Sequence, residues 1–309
     1  MIGHQKQQTF FERVLEQENH NHAYILVGPR HVGKTTLACF VASKILKVEE
    51  HRLAQHPDFL MVQRLHDEKT DRMRRDLSVS DIRDAVHFAS QSPLYDKGYK
   101  IIIIEEAERL NTEASNALLK MLEEPPLRTI FFLLYNNEAT LLPTIRSRAQ
   151  IIPCPPVNTT ELLAGLKDFD FPKEEKSEES FVTLVTEAQG LPGLAFTWLQ
   201  NPEDYETFLS AKKEFLGLWG LSFADKLAHV EHWFEDAKET SLGPDFLIDR
   251  LVFWQGILRS MLWNQLSNTQ SCPPRIWLMV QEKIIEALFD LRRNVHPRLV
   301  IESVLLTLP

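Results

Sequence analysis

Cysteine is scarce in this chain of 309 residues: three in all, Cys39, Cys154 and Cys272, far apart and odd in number. That argues against a disulfide framework and offers no cysteine cluster to a metal. Long apolar runs are missing too, none approaching the roughly 18 residues that a membrane span needs. The opening Met1-Ile2-Gly3-His4-Gln5 has neither the basic nor the apolar region of a secretory leader, so a cytoplasmic protein that does not enter membranes is expected. Positive charge is also in deficit, 34 Lys and Arg against 43 Asp and Glu, for a net charge of -9. A protein that coats nucleic acid by itself carries the opposite balance, so any DNA contact is expected to be local or made through partners. What remains, 44% hydrophobic and 25% charged residues, describes an ordinary globular chain with room for two or three domains.

What is present is concentrated in one stretch. The apolar run Tyr24-Ile25-Leu26-Val27 turns into Gly28-Pro29-Arg30-His31-Val32-Gly33-Lys34-Thr35-Thr36 and then into Leu37-Ala38-Cys39-Phe40-Val41-Ala42. The pattern predicts a buried strand that delivers a Gly-x-x-x-x-Gly-Lys-Thr loop to the start of a helix, the arrangement of a phosphate loop. Gly28 and Gly33 can take backbone angles closed to other residues, which lets successive N–H groups point at one phosphate chain. Lys34 is then expected on the β/γ-phosphates and the Thr35 hydroxyl on Mg²⁺, with Thr36 next in the first turn and the positive end of the helix dipole behind them. The plainer alternative is a glycine-rich turn that binds nothing.

Tyr99-Lys100-Ile101-Ile102-Ile103-Ile104-Glu105-Glu106 is the second informative stretch. Four consecutive isoleucines predict a strand buried on both faces. The acidic pair falls at its carboxyl end, where ligands bind in open α/β sheets. Glu105 is expected to hold Mg²⁺ through water and Glu106 to polarise an attacking water; alternatively the two are exposed acids that begin a helix. Thr129-Ile130-Phe131-Phe132-Leu133-Leu134 predicts another buried strand, ending in Tyr135-Asn136-Asn137, whose polar side chains should face the phosphates. Phe59-Leu60-Met61-Val62 reads as a further strand. Helices are expected around Phe10, Phe11, Val14 and Leu15, over 81–89 with Ser80 as cap, after Asn111 or Thr112 up to Pro125-Pro126, and briefly over 141–148. His20 and His22 read as solvated polar residues, and the charged stretch with Arg72, Arg74 and Arg75 as a solvated loop.

Strands alternating with helices over residues 23–152 give a parallel α/β sheet, closed by the proline cluster Pro153-Cys154-Pro155-Pro156. Beyond it the strand signal disappears. Short helices flank an acidic loop at 173–179, and Gly190-Leu191-Pro192-Gly193 breaks the chain before another helix. From about 201 the sequence is helical throughout, with one stripe of Leu247, Leu251, Trp254, Leu258 and Met261 and another of Ile284, Leu288 and Leu291. All six tryptophans lie at or beyond residue 198, an aromatic density suited to a helical core and to a subunit contact. The expected division is an α/β domain over 1–155, a small helical domain over 156–200 and an all-α domain over 201–309.

The residues carry a family likeness over almost the whole chain. Ile2-Gly3-His4-Gln5, His22-Ala23-Tyr24, the glycine loop, His56-Pro57-Asp58, Ile82-Arg83, Asn116-Ala117-Leu118-Leu119-Lys120-Met121-Leu122-Glu123-Glu124-Pro125-Pro126 and Leu141-Leu142-Pro143-Thr144-Ile145-Arg146-Ser147-Arg148 resemble the clamp-loader branch of the AAA+ ATPases. Asn294-Val295-His296-Pro297-Arg298-Leu299-Val300-Ile301-Glu302 is more similar to the delta-prime family of bacterial DNA polymerase III than to its ATP-driven tau/gamma relatives. The resemblance implies a nucleotide-binding domain, a helical lid and a helical collar. The collar holds a five-subunit ring together with tau/gamma and delta subunits, and the ring places a sliding clamp on primed DNA as part of a DNA-directed DNA polymerase holoenzyme. It also implies ATP with Mg²⁺ as ligand. In that family a Ser-Arg-Cys motif lends its arginine to ATP bound in the neighbouring subunit, and Ser147-Arg148 occupies its place here. A guanidinium fork brought in from outside suits charge developing on a γ-phosphate. The alternative is an Arg148 salt-bridged inside its own domain.

The chain departs from the family pattern at several points. Ala149 replaces the motif cysteine, Glu105 stands where aspartate is usual, and Tyr135-Asn136 replaces the small hydroxyl residues of the first sensor, leaving Asn136 as a polar substitute. Gly193 sits where the hydrolysing relatives carry a lid arginine, and the zinc-binding cysteines of many relatives are absent from residues 40 to 62, so no zinc is expected. Two readings follow. In one, the chain is a delta-prime-like subunit with slow or absent turnover that acts through Arg148; in the other, it is a self-sufficient tau/gamma-type ATPase using Lys34, Thr35 and Glu106. An unrelated phosphate-loop kinase would make the Leu-Glu-Glu-Pro-Pro and Ser-Arg segments coincidences.

Overall fold

The computed structural model describes residues 1–17, 20–64, 66–67, 72–73, 77–95, 98–167, 169, 178–239, 243–265, 274–293 and 295–309. Arg74, Arg75, Cys272, Asn294 and most of the 173–179 loop lie outside the described residues. Two compact units divide the chain, one of Met1–Thr186 with Gly190–Phe196, the other of Glu187–Gln189 with Thr197–Pro309.

In the first unit, α1 (Gln5–Glu16) precedes β1 (Ala23–Val27), and α2 (Lys34–Leu46) follows the glycine loop. Then come β2 (Phe59–Val62), a two-residue hairpin of β3 (His66–Asp67) and β4 (Arg72–Met73), α3 (Val79–Ser90), β5 (Lys100–Ile104) and α4 (Thr112–Glu123). The chain continues through β6 (Thr129–Tyr135), α5 (Pro143–Arg146), β7 (Gln150–Pro153), α6 (Thr159–Lys167), α7 (Glu178–Glu187) and α8 (Pro192–Gln200), the second unit taking Glu187 of α7 and α8 from Thr197 on. Five strands form one sheet in the order β2-β5-β6-β1-β7, every pair parallel.

Alternation within each apolar run fills both faces of this sheet. Ile25, Ile102, Ile104, Phe131 and Leu133 pack with Ile82 and Ala85 of α3 and Leu118, Met121 and Leu122 of α4. Leu26, Ile101, Ile103, Phe132 and Leu134 point the other way, onto Phe11 of α1 and Leu37 and Val41 of α2. A doubly covered parallel sheet is what continuous Ile, Leu and Phe runs dictate, because neither face can be left to water.

Two local expectations are corrected. The cap of α3 is Ser78, not Ser80: its hydroxyl accepts from the Asp81 N–H while Asp81 returns a bond to the Ser78 N–H. A reciprocal pair needs a carboxylate three residues after the cap, which Ser78 has and Ser80 lacks. His22 is not simply solvated, since its Nε2 is buried without a hydrogen-bond partner among the described residues.

The second unit contains α9 (Pro202–Gly217), α10 (Phe223–Glu239), α11 (Gly243–Gln265), α12 (Pro274–Arg292) and α13 (Pro297–Leu305). Trp254 lies at its centre, 4.8 Å from Phe215 and 5.2 Å from Trp233 between ring centroids. Leu247, Leu251 and Leu258 of one expected stripe and Ile284, Leu288 and Leu291 of the other are all buried. Among the described residues no helix is long and apolar enough to cross a membrane.

Candidate nucleotide-binding site

The carboxyl ends of β1, β5 and β6 converge on the glycine loop. Gly28 ends β1 so close to β7 that a Cβ there would stand 2.0 Å from the Cys154 carbonyl oxygen, so only glycine lets the loop begin at this point. Gly33, at φ 105, is the N-cap of α2 and brings no side chain to it. The first-turn N–H groups of Lys34, Thr35 and Thr36 are therefore uncapped by any side chain and border a cavity of about 780 Å³. Such a helix start is an anion site by construction.

Lys34 is 7% exposed, and its Nζ donates to Gly28 O (2.8 Å), Pro29 O (2.8 Å) and Asn136 Oδ1 (3.0 Å). Burial lowers its pKa to about 8, opposed by the Glu108 and Glu105 carboxylates. The Thr35 hydroxyl donates to Glu105 Oε1 at 2.6 Å. Those two hard oxygens, side by side at the phosphate loop, fit a Mg²⁺ that takes its other ligands from phosphates and water. Among the described residues no group of three or more His, Cys, Asp or Glu could hold a metal without such help. Thr36 is exposed on the rim of the cavity.

Glu106, expected to polarise an attacking water, is engaged by two arginines. It sits in the left-handed region at φ 46, with its Oε2 ion-paired to Arg64 Nε at 2.5 Å and facing Arg109 Nε at 3.6 Å. The sheet register explains the first contact: Val62 is opposite Ile104, so Arg64, two residues on, falls beside Glu106. Glu108 is the other residue that the sequence reading passed over. Its Oε1 accepts from Asn136 Nδ2 at 2.6 Å, and both its oxygens lie near the Asn136 N–H, at 3.3 and 3.4 Å. Its signal was position, three residues past Glu105 at the same strand end.

Arg148 lies apart from this cluster, after α5. Its Nη2 meets Glu123 Oε1 of α4 at 2.7 Å, and its Nη1 donates to Thr144 O (2.9 Å) and Ser147 Oγ (3.2 Å). The side chain remains 33% exposed and its carboxylate partner 49% exposed. Arg148 is thus salt-bridged inside its own domain, the alternative stated above, through an ion pair that, so open to water, is worth roughly 0–1 kcal/mol and through the two hydrogen bonds beside it. Gly193 lies near the apex of the loop: its N–H donates to His31 O at 2.9 Å, and a Cβ there would stand 3.1 Å from the same oxygen.

Comparison with known proteins agrees with this architecture. A family profile described as DNA polymerase III, delta subunit, matches residues 3–158. The chain is 34% identical over 163 residues to DNA polymerase III subunit delta' of Pseudomonas aeruginosa, covering 48% of each. It is 29% identical over 228 residues to the subunit of the same name in Haemophilus influenzae, covering 70% of this chain and 63% of that one. DNA polymerase III subunit tau of Bacillus subtilis is 27% identical over 204 residues, 61% of this chain and 34% of its own. The chain thus spans less than two-thirds of the length of each of these relatives. The matched half contains the glycine loop, the acidic strand end and Ser147-Arg148, and on that ground the chain belongs to the DNA polymerase III delta subunit family.

Proposed function

We propose that this chain is a delta-prime-like subunit of a bacterial clamp loader, which with tau/gamma and delta subunits forms a ring that places the sliding clamp on primed DNA. Residues 156–200 serve as its lid and 201–309 as the collar through which the ring is held. Contact with DNA is made mainly through the complex, as the net charge of -9 suggests.

In this reading the chain's own site holds ATP with Mg²⁺ and turns it over slowly or not at all. Lys34 and the α2 N–H groups take the phosphates, while Thr35 and Glu105 hold the metal ion, which neutralises phosphate charge. Glu106 is the residue that decides turnover. A general base must have its carboxylate within reach of the attacking water, and here that carboxylate is taken up by Arg64, with Arg109 behind it. Arg148 works elsewhere, leaving Glu123 to neutralise charge on the nucleotide of the adjoining subunit. Its one-third exposure at a solvent-facing ion pair supports that role. The second reading, a self-sufficient tau/gamma-type ATPase, rests on the completeness of the loop from Gly28 through Thr35.

The observation that carries the proposal is the Glu106–Arg64 pair beside an intact phosphate loop. Steady-state ATP hydrolysis by the reconstituted complex tests it. Arg148→Ala should lower turnover at the neighbouring site on the order of a thousandfold, the usual worth of a trans arginine, and Lys34→Ala should leave the complex nearly unchanged. Loss of all turnover on Lys34→Ala alone would replace this reading with the tau/gamma one.

A further inference from the structure

Resting on the reading that the glycine loop holds a nucleotide, we infer that Arg30, at the apex of that loop, binds the terminal phosphate and gives this chain's own site a preference for the triphosphate over the diphosphate.

Arg30 has a place in the cavity and no commitment elsewhere. Of the three Lys and Arg side chains that line the cavity among the described residues, Lys34 has its three acceptors and Arg64 has Glu106. Arg30 is exposed and makes no side-chain hydrogen bond or ion pair among those residues. The loop sets it beside the Lys34 ammonium. Val32 N–H approaches Pro29 O at 3.4 Å, closing a turn with Arg30 and His31 at its two central positions, and Lys34 Nζ donates to the same Pro29 oxygen at 2.8 Å. Arg30 follows that carbonyl directly, so the two cations share one short stretch of backbone.

Their field is felt next door. The His31 imidazole is held below its usual pKa by burial and then by the Arg30 and Lys34 charges. No carboxylate pairs with Arg30 among the described residues to offset this repulsion, whereas a phosphate chain does so directly.

The position along that chain follows from the loop. The N–H groups of a phosphate loop cradle the α- and β-phosphates and its lysine reaches the β and γ, so a third phosphate lies on the lysine side, where Arg30 stands. Thr36 and Gln63 are exposed and line the same cavity, but both are neutral. A charged fork of donors is the stronger partner for a terminal phosphate. Gly193, whose N–H donates to His31 O at 2.9 Å, lies against the same turn and brings no side chain to it. The guanidinium that meets the third phosphate therefore comes from the loop itself.

Isothermal titration calorimetry of the full chain with ADP and with a non-hydrolysable ATP analogue, each with Mg²⁺, tests the inference. The parent should bind the triphosphate about tenfold more tightly, the worth of one charge-assisted hydrogen bond. Arg30→Met keeps an unbranched stem and removes the charge at an exposed position, and far-ultraviolet circular dichroism checks that it folds. It should bring the two dissociation constants within about threefold of each other, almost wholly by weakening the triphosphate. Equal weakening of both nucleotides overturns the inference, because the guanidinium then acts on phosphates that both share; so does a parent that binds both alike, or a preference that survives Arg30→Met. Absence of binding of either nucleotide to the parent sinks the nucleotide reading of the loop and this inference with it, whereas the other adverse outcomes sink the inference alone.

Discussion

Nucleotide affinity should weaken as pH rises through Lys34's titration, and the structure supplies both the midpoint and the sign. Lys34 is buried, and its pKa is lowered to about 8. Phosphates favour the charged ammonium, so binding raises that pKa, and only the protonated free protein binds tightly. Affinity is then level below the midpoint and falls above it, weakening by about twofold at pH 8 and by about tenfold at pH 9. Few other groups at the site titrate in that window. Burial pushes Cys39 and Cys154 up to about 11 and Tyr135 higher still, while the terminal phosphate loses its last proton near pH 6. Titration of a fluorescent nucleotide at half-unit steps from pH 7 to 9.5 measures the curve, with far-ultraviolet circular dichroism at each pH to exclude unfolding. An affinity constant within twofold across the range would refute the reasoning, because Lys34 would then either keep its ordinary pKa or not touch the phosphates.

The remaining predictions concern the scaffold under the site. Asp58 and Lys100 form an ion pair with both side chains 3% exposed, and Asp58 also accepts from the Leu94 N–H at 2.9 Å. Asp58→Ala should destabilise the chain by about 3–5 kcal/mol in urea unfolding, because it strands a buried ammonium, and adding Lys100→Met should recover much of that loss. Gly28→Ala should cost about 3 kcal/mol and abolish nucleotide binding. Its Cβ would sit 2.0 Å from a backbone oxygen in a segment already tied to β1 through Cys154 N–H and Val27 O, so the loop and the strand must part.

The sheet was largely legible from the chain because its strands are buried on both faces and therefore uninterrupted by polar residues. Lys100–Ile104 and Thr129–Tyr135 could hardly be anything else. The cap of α3 was legible only with the reciprocal rule: two serines stand at its start, Ser78 before it and Ser80 in its first turn, and the carboxylate at Asp81 chooses Ser78. The partners of the site residues were not legible. Arg64 and Glu106 are 42 positions apart and meet because β2 and β5 are neighbours in parallel register, which hydrophobic pattern alone does not specify. Arg148 and Glu123 each stand in a recognisable motif, yet their contact depends on how α5 packs on α4, a matter of tertiary geometry.

If the proposed reading holds, those partners also account for a complete phosphate loop that persists without turnover. A buried polar group with no partner costs about 1–3 kcal/mol, and a loop shaped only for a ligand would bear that cost whenever the ligand left. Here Lys34 has three acceptors for its three hydrogens, Thr35 has Glu105, Asn136 has Glu108, and Glu106 has Arg64. The site is ordered by its own residues, so a nucleotide gains only the difference between the bonds it makes and those it displaces. Selection for hydrolysis would have to break the Glu106 pair, whereas selection for a fixed frame beside a neighbour's nucleotide keeps every one of these contacts. On the proposed reading the loop itself does not limit turnover; Arg64, outside the motif, does so by holding Glu106.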